Sequence, residues 1–541
     1  MSNKKYFGTM IDCSRNAVMT VDTVKKYIDV LSKMGYNMLM LYTEDTYEID
    51  NRPMFGYLRG KYSKDELKEI VAYGETKGIE LIPCIQTLAH LSTIFRWSEH
   101  TPMRDNAGIL LVDDDKTYEF IDDMLKTVKE CFKSKKIHIG MDEAHSLGLG
   151  KFLDKFGFQD RFSILSRHLK RVNEMVKSYG LEPLMWSDMF FRLANHDEYY
   201  AYDNPDIITE EITKLVDENI DLVYWDYFVI HKYFADNMIK AHKKFKNNIW
   251  FAGGALTWTG FTPHNAHAQR FMKNALESCK ENGVENIIIT CWGDDGAETS
   301  MFAVLPTLYY CAELYKGNSD IDSIKKGFKE TFGYEFDDFM KLDYPSILLT
   351  DKSYYHSPDR IFFYNDPFLG IYDDLLDDRA QTWENNYHNF KAELDKLKND
   401  GEYAYLFDTA SVLCDCMTVK MLLGKRTRAA YRAGDKEALK KLLADYDKSI
   451  ELINVFYDKC RYQWYKENKY IGFEIQDIRL GGLVRRLANC KQMLADYIDG
   501  KIEKIEELEN EVLSHNSKTE GYKDFVWGKI VSANILTNYH H

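Results

Sequence analysis

Up to residue 316, short apolar runs alternate with longer amphipathic stretches. The runs fall at residues 7–11, 37–42, 80–85, 137–141, 182–186, 222–227, 248–253 and 286–291. They are rich in β-branched or bulky side chains, as strands buried on both faces should be. Between them, at residues 21–34, 63–77 and 118–132 for example, apolar positions recur at helical spacing. Eight strands alternating with helices predict an α/β fold, a (β/α)8 TIM barrel over residues 1–316. An open doubly wound sheet is the rival. It is weakened because no Gly-x-Gly-x-x-Gly follows the first run.

From Gly317 the alternation stops, and helical patterns take over at residues 374–397, 403–432, 436–465, 474–498 and 504–513. Within the second, Leu406, Ala410, Leu413, Met417 and Met421 build one apolar face. Gly434-Asp435 ends one helix and caps the next. Residues 317–541 are therefore expected to form an α-helical C-terminal domain packed on the barrel. Two of its segments, Asp359 to Pro367 and Asp477 to Gly482, are dense in polar and aromatic groups. Interdomain packing is the plainer use for them; a border to the barrel mouth or a homodimer contact are the alternatives.

Composition narrows the function. Seventy Lys and Arg against 85 Asp and Glu give a net charge of −15, which argues against a nucleic-acid partner. The N-terminus lacks the apolar run of a signal peptide and no stretch approaches membrane length, so a cytoplasmic protein without a membrane partner is expected. The 10 cysteines show no zinc spacing, and the close pair Cys414 and Cys416 lies in a helical pattern. Reduced thiols, with no metal and no cofactor, are the expectation. Aromatic residues make up 14% of the chain, a weak pointer to a ring-shaped ligand such as a carbohydrate.

A barrel carries its chemistry on the C-terminal ends of its strands. In order, those ends read Asp12-Cys13-Ser14-Arg15, Thr43-Glu44-Asp45, Gln86-Thr87-Leu88-Ala89-His90, Gly140-Met141-Asp142-Glu143, Trp186-Ser187-Asp188, Tyr224-Trp225-Asp226-Tyr227, Leu256-Thr257-Trp258 and Trp292-Gly293-Asp294-Asp295. Four of these ends carry a tryptophan, out of nine in the chain, which suggests a cup that binds a ring.

The strongest local signal is His138-Ile139-Gly140-Met141-Asp142-Glu143. Adjacent residues of a regular strand face opposite sides, so both carboxylates can reach the cup only if the backbone bends, which Gly140 would ease. Two carboxylates in one dry cup should titrate apart, one raised and one ionised, which suits glycosidic cleavage. Metal ligation or a solvated loop are the other uses of such a pair.

Together these motifs resemble glycoside hydrolase family 20, the exo-acting β-N-acetylhexosaminidases. They are His-x-Gly-x-Asp-Glu on strand four, Arg15 on strand one, His90 after strand three and Trp-Gly-acidic on strand eight. The resemblance covers the barrel and is nearest to the bacterial branch with a C-terminal helical domain. It implies hydrolysis of terminal β-linked GlcNAc or GalNAc from a small oligosaccharide or glycoconjugate. The substrate's own 2-acetamido oxygen would be the nucleophile, giving an oxazolinium intermediate and net retention. Glu143 would be the general acid and then base, and Asp142 would orient the acetamido group. Arg15 would grip sugar hydroxyls, and His90 would tune the acid with its ring oriented by Glu44 or Asp45. Trp186, Trp225 and Trp292 would wall the acetamido pocket, and Asp294 would bind the distal hydroxyls, with Asp295 and Glu298 ranked lower. His138 reads equally well as a core histidine.

The chain departs from the family pattern in three places. Met141 stands where the family has a second glycine, and Asp294 where it usually has Glu. Strand seven lacks the family's Tyr-x-Asp, whose hydroxyl donates to the acetamido oxygen. The nearest donors are Tyr227, or Tyr224 with Asp226. Tyr227 is preferred because it shares a strand face with Trp225, and Trp258 becomes an extra wall. A metal-dependent barrel hydrolase using His90, His138, Asp142 and Glu143, and a non-catalytic carbohydrate-binding protein, are the competing functions.

Overall fold

A computed structural model describes residues 4–348, 358–376, 379–399 and 401–513. Eight parallel strands close into a barrel: β1 (Phe7–Asp12), β2 (Met38–Tyr42), β3 (Glu80–Cys84), β4 (Lys136–His138), β5 (Glu182–Trp186), β6 (Asp221–Trp225), β7 (Ile249–Gly254) and β8 (Asn286–Cys291). Neighbours in sequence are neighbours in space, and β8 closes on β1 in the register Phe7 to Ile287. Period-two alternation divides each strand between two cores. Met10, Met40, Ile82, Val223 and Ile288 fill the barrel interior, while Ile11, Leu41, Leu81, Leu222 and Ile287 meet the surrounding helices.

The helices begin and end where their side chains dictate. Thr20 caps Val21–Met34, and Gly35 closes it in a left-handed conformation. Ser63 and Glu66 form a reciprocal capping box on Lys64–Thr76. The clearest departure from the sequence pattern is β4, which ends at His138 although the apolar run continues to Met141. Gly140 and Met141 both take positive φ of 73°, which turns the chain off the strand.

The C-terminal region is helical as expected, with Lys436–Glu467 and Glu474–Ile498 its longest elements. The pattern over residues 403–432 resolves into two helices, Ala404–Lys420 and Leu423–Arg432. The pattern over 504–513 yields only Glu506–Glu509. Two further helices, Ile321–Phe332 and Pro358–Tyr364, precede them. This region docks on the C-terminal face of the barrel. Met19 pairs with Asn468, and the Asp359 carboxylate accepts the backbone N–H groups of Phe261 and Thr262. Among the described residues no helix is long and apolar enough to cross a membrane.

Candidate active site

The turn after β4 brings both carboxylates of the Asp142-Glu143 pair to the barrel mouth. Gly140, Met141 and Glu143 all lie in the left-handed region, so the strict alternation of a strand is lost there. Non-glycine residues pay about 1–2 kcal/mol each for that conformation. Gly140 is required for a second reason. A Cβ there would lie 2.0 Å from the Gln86 side-chain oxygen and 2.9 Å from the Ile85 carbonyl.

Asp142 is buried and held on both sides. Gln86 Nε2 donates to its Oδ1 at 2.7 Å, and His90 Nε2 lies 3.1 Å from its Oδ2. Burial alone would raise the Asp142 pKa, but the His90 charge and the Gln86 hydrogen bond hold it below the usual carboxylate range. Reciprocally, desolvation would lower His90, yet Asp142 raises it to about 9. Asp142 is therefore held as a carboxylate beside a charged His90. Glu143 is more open, with a side chain 38% exposed. Its Oε1 accepts from Arg192 Nη2 at 3.1 Å, and its Oε2 lies 3.6 Å from His90 Nε2.

Two carboxyls near the pair are raised to about 7. Burial first, then the Asp142 charge, lifts Asp188 against the pull of Arg192. Its Oδ2 accepts the Glu143 backbone N–H at 3.0 Å and Arg192 Nε at 2.9 Å, so one carboxylate fixes both the backbone and the counterion of Glu143. Asp294 is lifted mainly by burial, opposed by Arg15.

On the other flank, Arg15 Nη1 donates to Glu44 Oε1 at 2.7 Å. Glu44 also accepts the Tyr42 hydroxyl at 3.0 Å, and that hydroxyl accepts from Gln86 Nε2 at 2.9 Å. A continuous polar chain thus runs from Arg15 through Glu44, Tyr42, Gln86 and Asp142 to His90. Of the two acids expected to orient His90, Glu44 acts on it through charge and raises its pKa, while Asp142 makes the close contact. Glu44 is taken by Arg15, and Asp45 by Arg59 at 3.3 Å.

The aromatic groups also meet. Tyr227 stacks on Trp225 with centroids 5.3 Å apart and meets Trp258 edge-on at 5.2 Å. Trp292 lies 6.1 Å from Trp186 and edge-on to Tyr42 at 4.8 Å. Trp292 Nε1 donates to the Tyr227 hydroxyl at 2.7 Å, so that hydroxyl keeps its own proton for another acceptor. Tyr224 faces away from the cup. It is fully buried and donates to Asp226, which also accepts from Tyr202. Gly254 makes room for the cup, since a Cβ there would stand 2.4 Å from the Trp258 ring. His138 is a core histidine: its Nδ1 accepts the Gly140 N–H at 3.1 Å, and burial lowers its pKa to about 3.

His90, Asp142 and Glu143 bring one ligand atom each within 4.8 Å of one another, a spacing that could hold a cation. His138 is not part of that group. Four contributors went unassigned in the sequence: Tyr42, Gln86, Asp188 and Arg192. Gln86 and Asp188 sit at strand ends, and Arg192 follows Asp188 by four residues in the helix Asp188–Ala194. Their positions were visible, whereas their partners were not.

Two family models match the chain. "Glycosyl hydrolase family 20, catalytic domain" covers residues 5–243, and "Glycoside Hydrolase 20C C-terminal domain" covers residues 337–527. Among curated proteins, the chain is similar to a beta-hexosaminidase of Emericella nidulans, 29% identical over 164 residues, covering 26% of this chain and 27% of that protein. It is also similar to human hexosaminidase D, 23% identical over 222 residues, covering 39% of this chain and 43% of that protein. Among solved structures it is similar to the beta-N-acetylhexosaminidase from Bacteroides fragilis, at 20% identity and a TM-score of 0.45, covering 62% of this chain and 72% of that one. The chain spans between 26% and 43% of the length of the curated relatives it matches, which come from fungi, animals and bacteria.

Proposed function

The chain has the catalytic and C-terminal domain architecture of glycoside hydrolase family 20, and from that premise we propose that it is an exo-acting β-N-acetylhexosaminidase. It removes terminal β-linked GlcNAc or GalNAc from small oligosaccharides with retention. The carrying observation is the asymmetry of the Asp142-Glu143 pair: one carboxylate buried and held ionised, its neighbour open at the mouth.

In the first step the acetamido carbonyl oxygen attacks the anomeric carbon and the bond to the aglycone oxygen breaks. Glu143 gives its proton to that leaving oxygen. Asp142 accepts a hydrogen bond from the acetamido N–H and stabilises the positive charge of the oxazolinium ring. Tyr227, already an acceptor from Trp292, donates its proton to the acetamido oxygen. In the second step water attacks the anomeric carbon, Glu143 takes its proton, and the acetamido group is restored. Trp186, Trp225, Trp258 and Trp292 wall the sugar, and Arg15 and Asp294 bind its distal hydroxyls. In this reading the enzyme works in the cytoplasm, where its thiols stay reduced, and belongs to the bacterial branch of the family.

The test is release of p-nitrophenol from the β-GlcNAc, β-GalNAc and β-glucose glycosides, with a thiazoline mimic of the intermediate as inhibitor. Turnover restricted to the acetamido sugars and blocked by the thiazoline is expected. Cleavage of the glucoside would remove the acetamido group as nucleophile and refute the roles of Asp142 and Tyr227. Glu143→Gln should abolish turnover and keep sugar binding.

A metal-dependent reading draws on the His90, Asp142 and Glu143 spacing. Against it, a metal would have to displace the proton that His90, raised to about 9, carries at pH 7, so proton competition weakens such a site. Activity that survives exhaustive chelation separates the two; activity lost to a chelator and restored by a divalent ion would favour the metal.

A further inference from the structure

The loop after β8 carries Asp294 and then runs through three successive left-handed residues, Asp295 (φ 54°), Gly296 (φ 119°) and Ala297 (φ 53°). Two of them are not glycine, so the local sequence does not favour this path, and external contacts must hold it. Those contacts come from the helical region. Glu298, with a side chain 2% exposed, accepts from Arg360 Nε at 2.7 Å, Gln476 Nε2 at 2.9 Å and Arg479 Nη1 at 3.1 Å. Arg479 Nη1 also donates to the Asp295 carbonyl. Its guanidinium lies directly over the loop, since a Cβ on Gly296 would come within 2.7 Å of it. Arg360 reaches further and donates to the Trp258 carbonyl at 3.3 Å, tying the β7 loop to the β8 loop.

We propose that Arg479, with Gln476 and Arg360, makes the helical domain a working part of the sugar site. These three positioning residues hold the β8 loop in the left-handed path that sets Asp294 beside Arg15. The inference rests on the hexosaminidase reading for its functional consequence, though not for the clamp itself. Arg360 is nearly fully buried and packed among core aromatics, so its substitution would confound folding. Arg479 is half out of the core, with a side chain 16% exposed, and is the residue to change. Its loss should loosen the subsite for the distal hydroxyls and leave the Asp142-Glu143 chemistry in place. GlcNAc and GalNAc differ only at the 4-hydroxyl, so their discrimination reports on that subsite.

The experiment compares Arg479→Met, Arg479→Lys and Gln476→Leu with the wild type in the full chain. The first reading is hydrogen exchange of the peptide spanning residues 293–298. The second is KM, kcat and the ratio of kcat/KM for the two p-nitrophenyl acetamido glycosides. In Arg479→Met, exchange of the loop should rise, KM should rise about tenfold with kcat within about threefold, and the epimer ratio should shift. Arg479→Lys should recover part of each change. Exchange unchanged in Arg479→Met would overturn the clamp. Faster exchange with KM and the ratio unchanged would overturn its role in the sugar site. Should Arg479→Met fail to fold, Gln476→Leu gives the same two readings. Should the wild type cleave neither glycoside, the hexosaminidase reading fails and the exchange arm still decides the clamp.

Discussion

Asp142→Asn keeps the shape of the side chain and removes its charge, so it isolates the electrostatic bond to His90. The imidazole moves from an ordinary 6.5 to about 9 in the folded protein, against the desolvation that would lower it. A shift of that size corresponds to about 3 kcal/mol of interaction. The lowered pKa of Asp142 expresses the same interaction, so it is counted once. Because His90 is raised, this stabilisation is complete below pH 6.5 and is lost as pH rises through about 9. On the acid side it is lost only when Asp142 itself protonates, below the ordinary Asp range.

In Asp142→Asn the remaining influences are burial, Arg15 and Glu44, of which only Glu44 raises His90. The His90 titration should therefore fall to 6.5 or below, read by histidine-ring NMR with His90→Gln to assign the signal. Denaturant unfolding should show the variant weaker by about 1–3 kcal/mol at pH 6, and the gap should close by pH 10. A midpoint that stays near 9 would place the source of the shift at Glu44 and refute the Asp142–His90 coupling. A stability gap that widens with pH would refute the sign of the argument.

Two further substitutions test the supports of the pair. Arg192→Met removes the counterion shared by Asp188 and Glu143, and should lower turnover about tenfold. It should also push the Asp188 pKa above its present value of about 7, so the stability deficit opens above pH 7 and shrinks below it, seen in urea melts at pH 6 and 8.5. Gly140→Ala should cost more than about 2 kcal/mol, because left-handed strain adds to the collision with Gln86. Its folded fraction should still turn over slowly, since Gln86 would be driven off Asp142; a normal melt with normal turnover would contradict that geometry.

The barrel was legible because its strands are buried on both faces and its helices on one, two patterns that sequence records directly. Glu182–Trp186, Asn286–Cys291 and Val21–Met34 match their apolar spans residue for residue. β4 was overextended because Ile139 and Met141 are as apolar and buried as any strand residue. What ends the strand is the backbone at Gly140 and Met141, and φ leaves no trace in hydropathy. The aromatic cup was legible because tryptophan is rare and strand ends are few. The polar chain was not, because Gln86, Tyr42 and Arg192 join the site through partners 44 to 56 residues away. His90 found its carboxylate in the pair itself, while the nearer acids, Glu44 and Asp45, were claimed by Arg15 and Arg59. Long-range pairing of that kind is decided by the closure of the barrel.

Met141 puts the balance between strain and packing in its sharpest form. It occupies a left-handed position, φ 73°, where glycine would fit without cost, yet its side chain is fully buried. Relief of backbone strain would return about 1–2 kcal/mol. Truncating a buried methionine to the backbone costs about 2–5 kcal/mol, transfer and cavity together. Packing should therefore win, and Met141→Gly should be less stable by about 1–3 kcal/mol despite its easier backbone. The added backbone freedom falls on the residue before Asp142, so turnover should fall further than the melt alone explains. Denaturant unfolding and turnover measured on the same preparation check both statements. A Met141→Gly variant more stable than the wild type would mean that strain at the turn exceeds its packing. The asymmetry of the Asp142-Glu143 pair would then be held by the polar chain alone, with no contribution from the core beneath it.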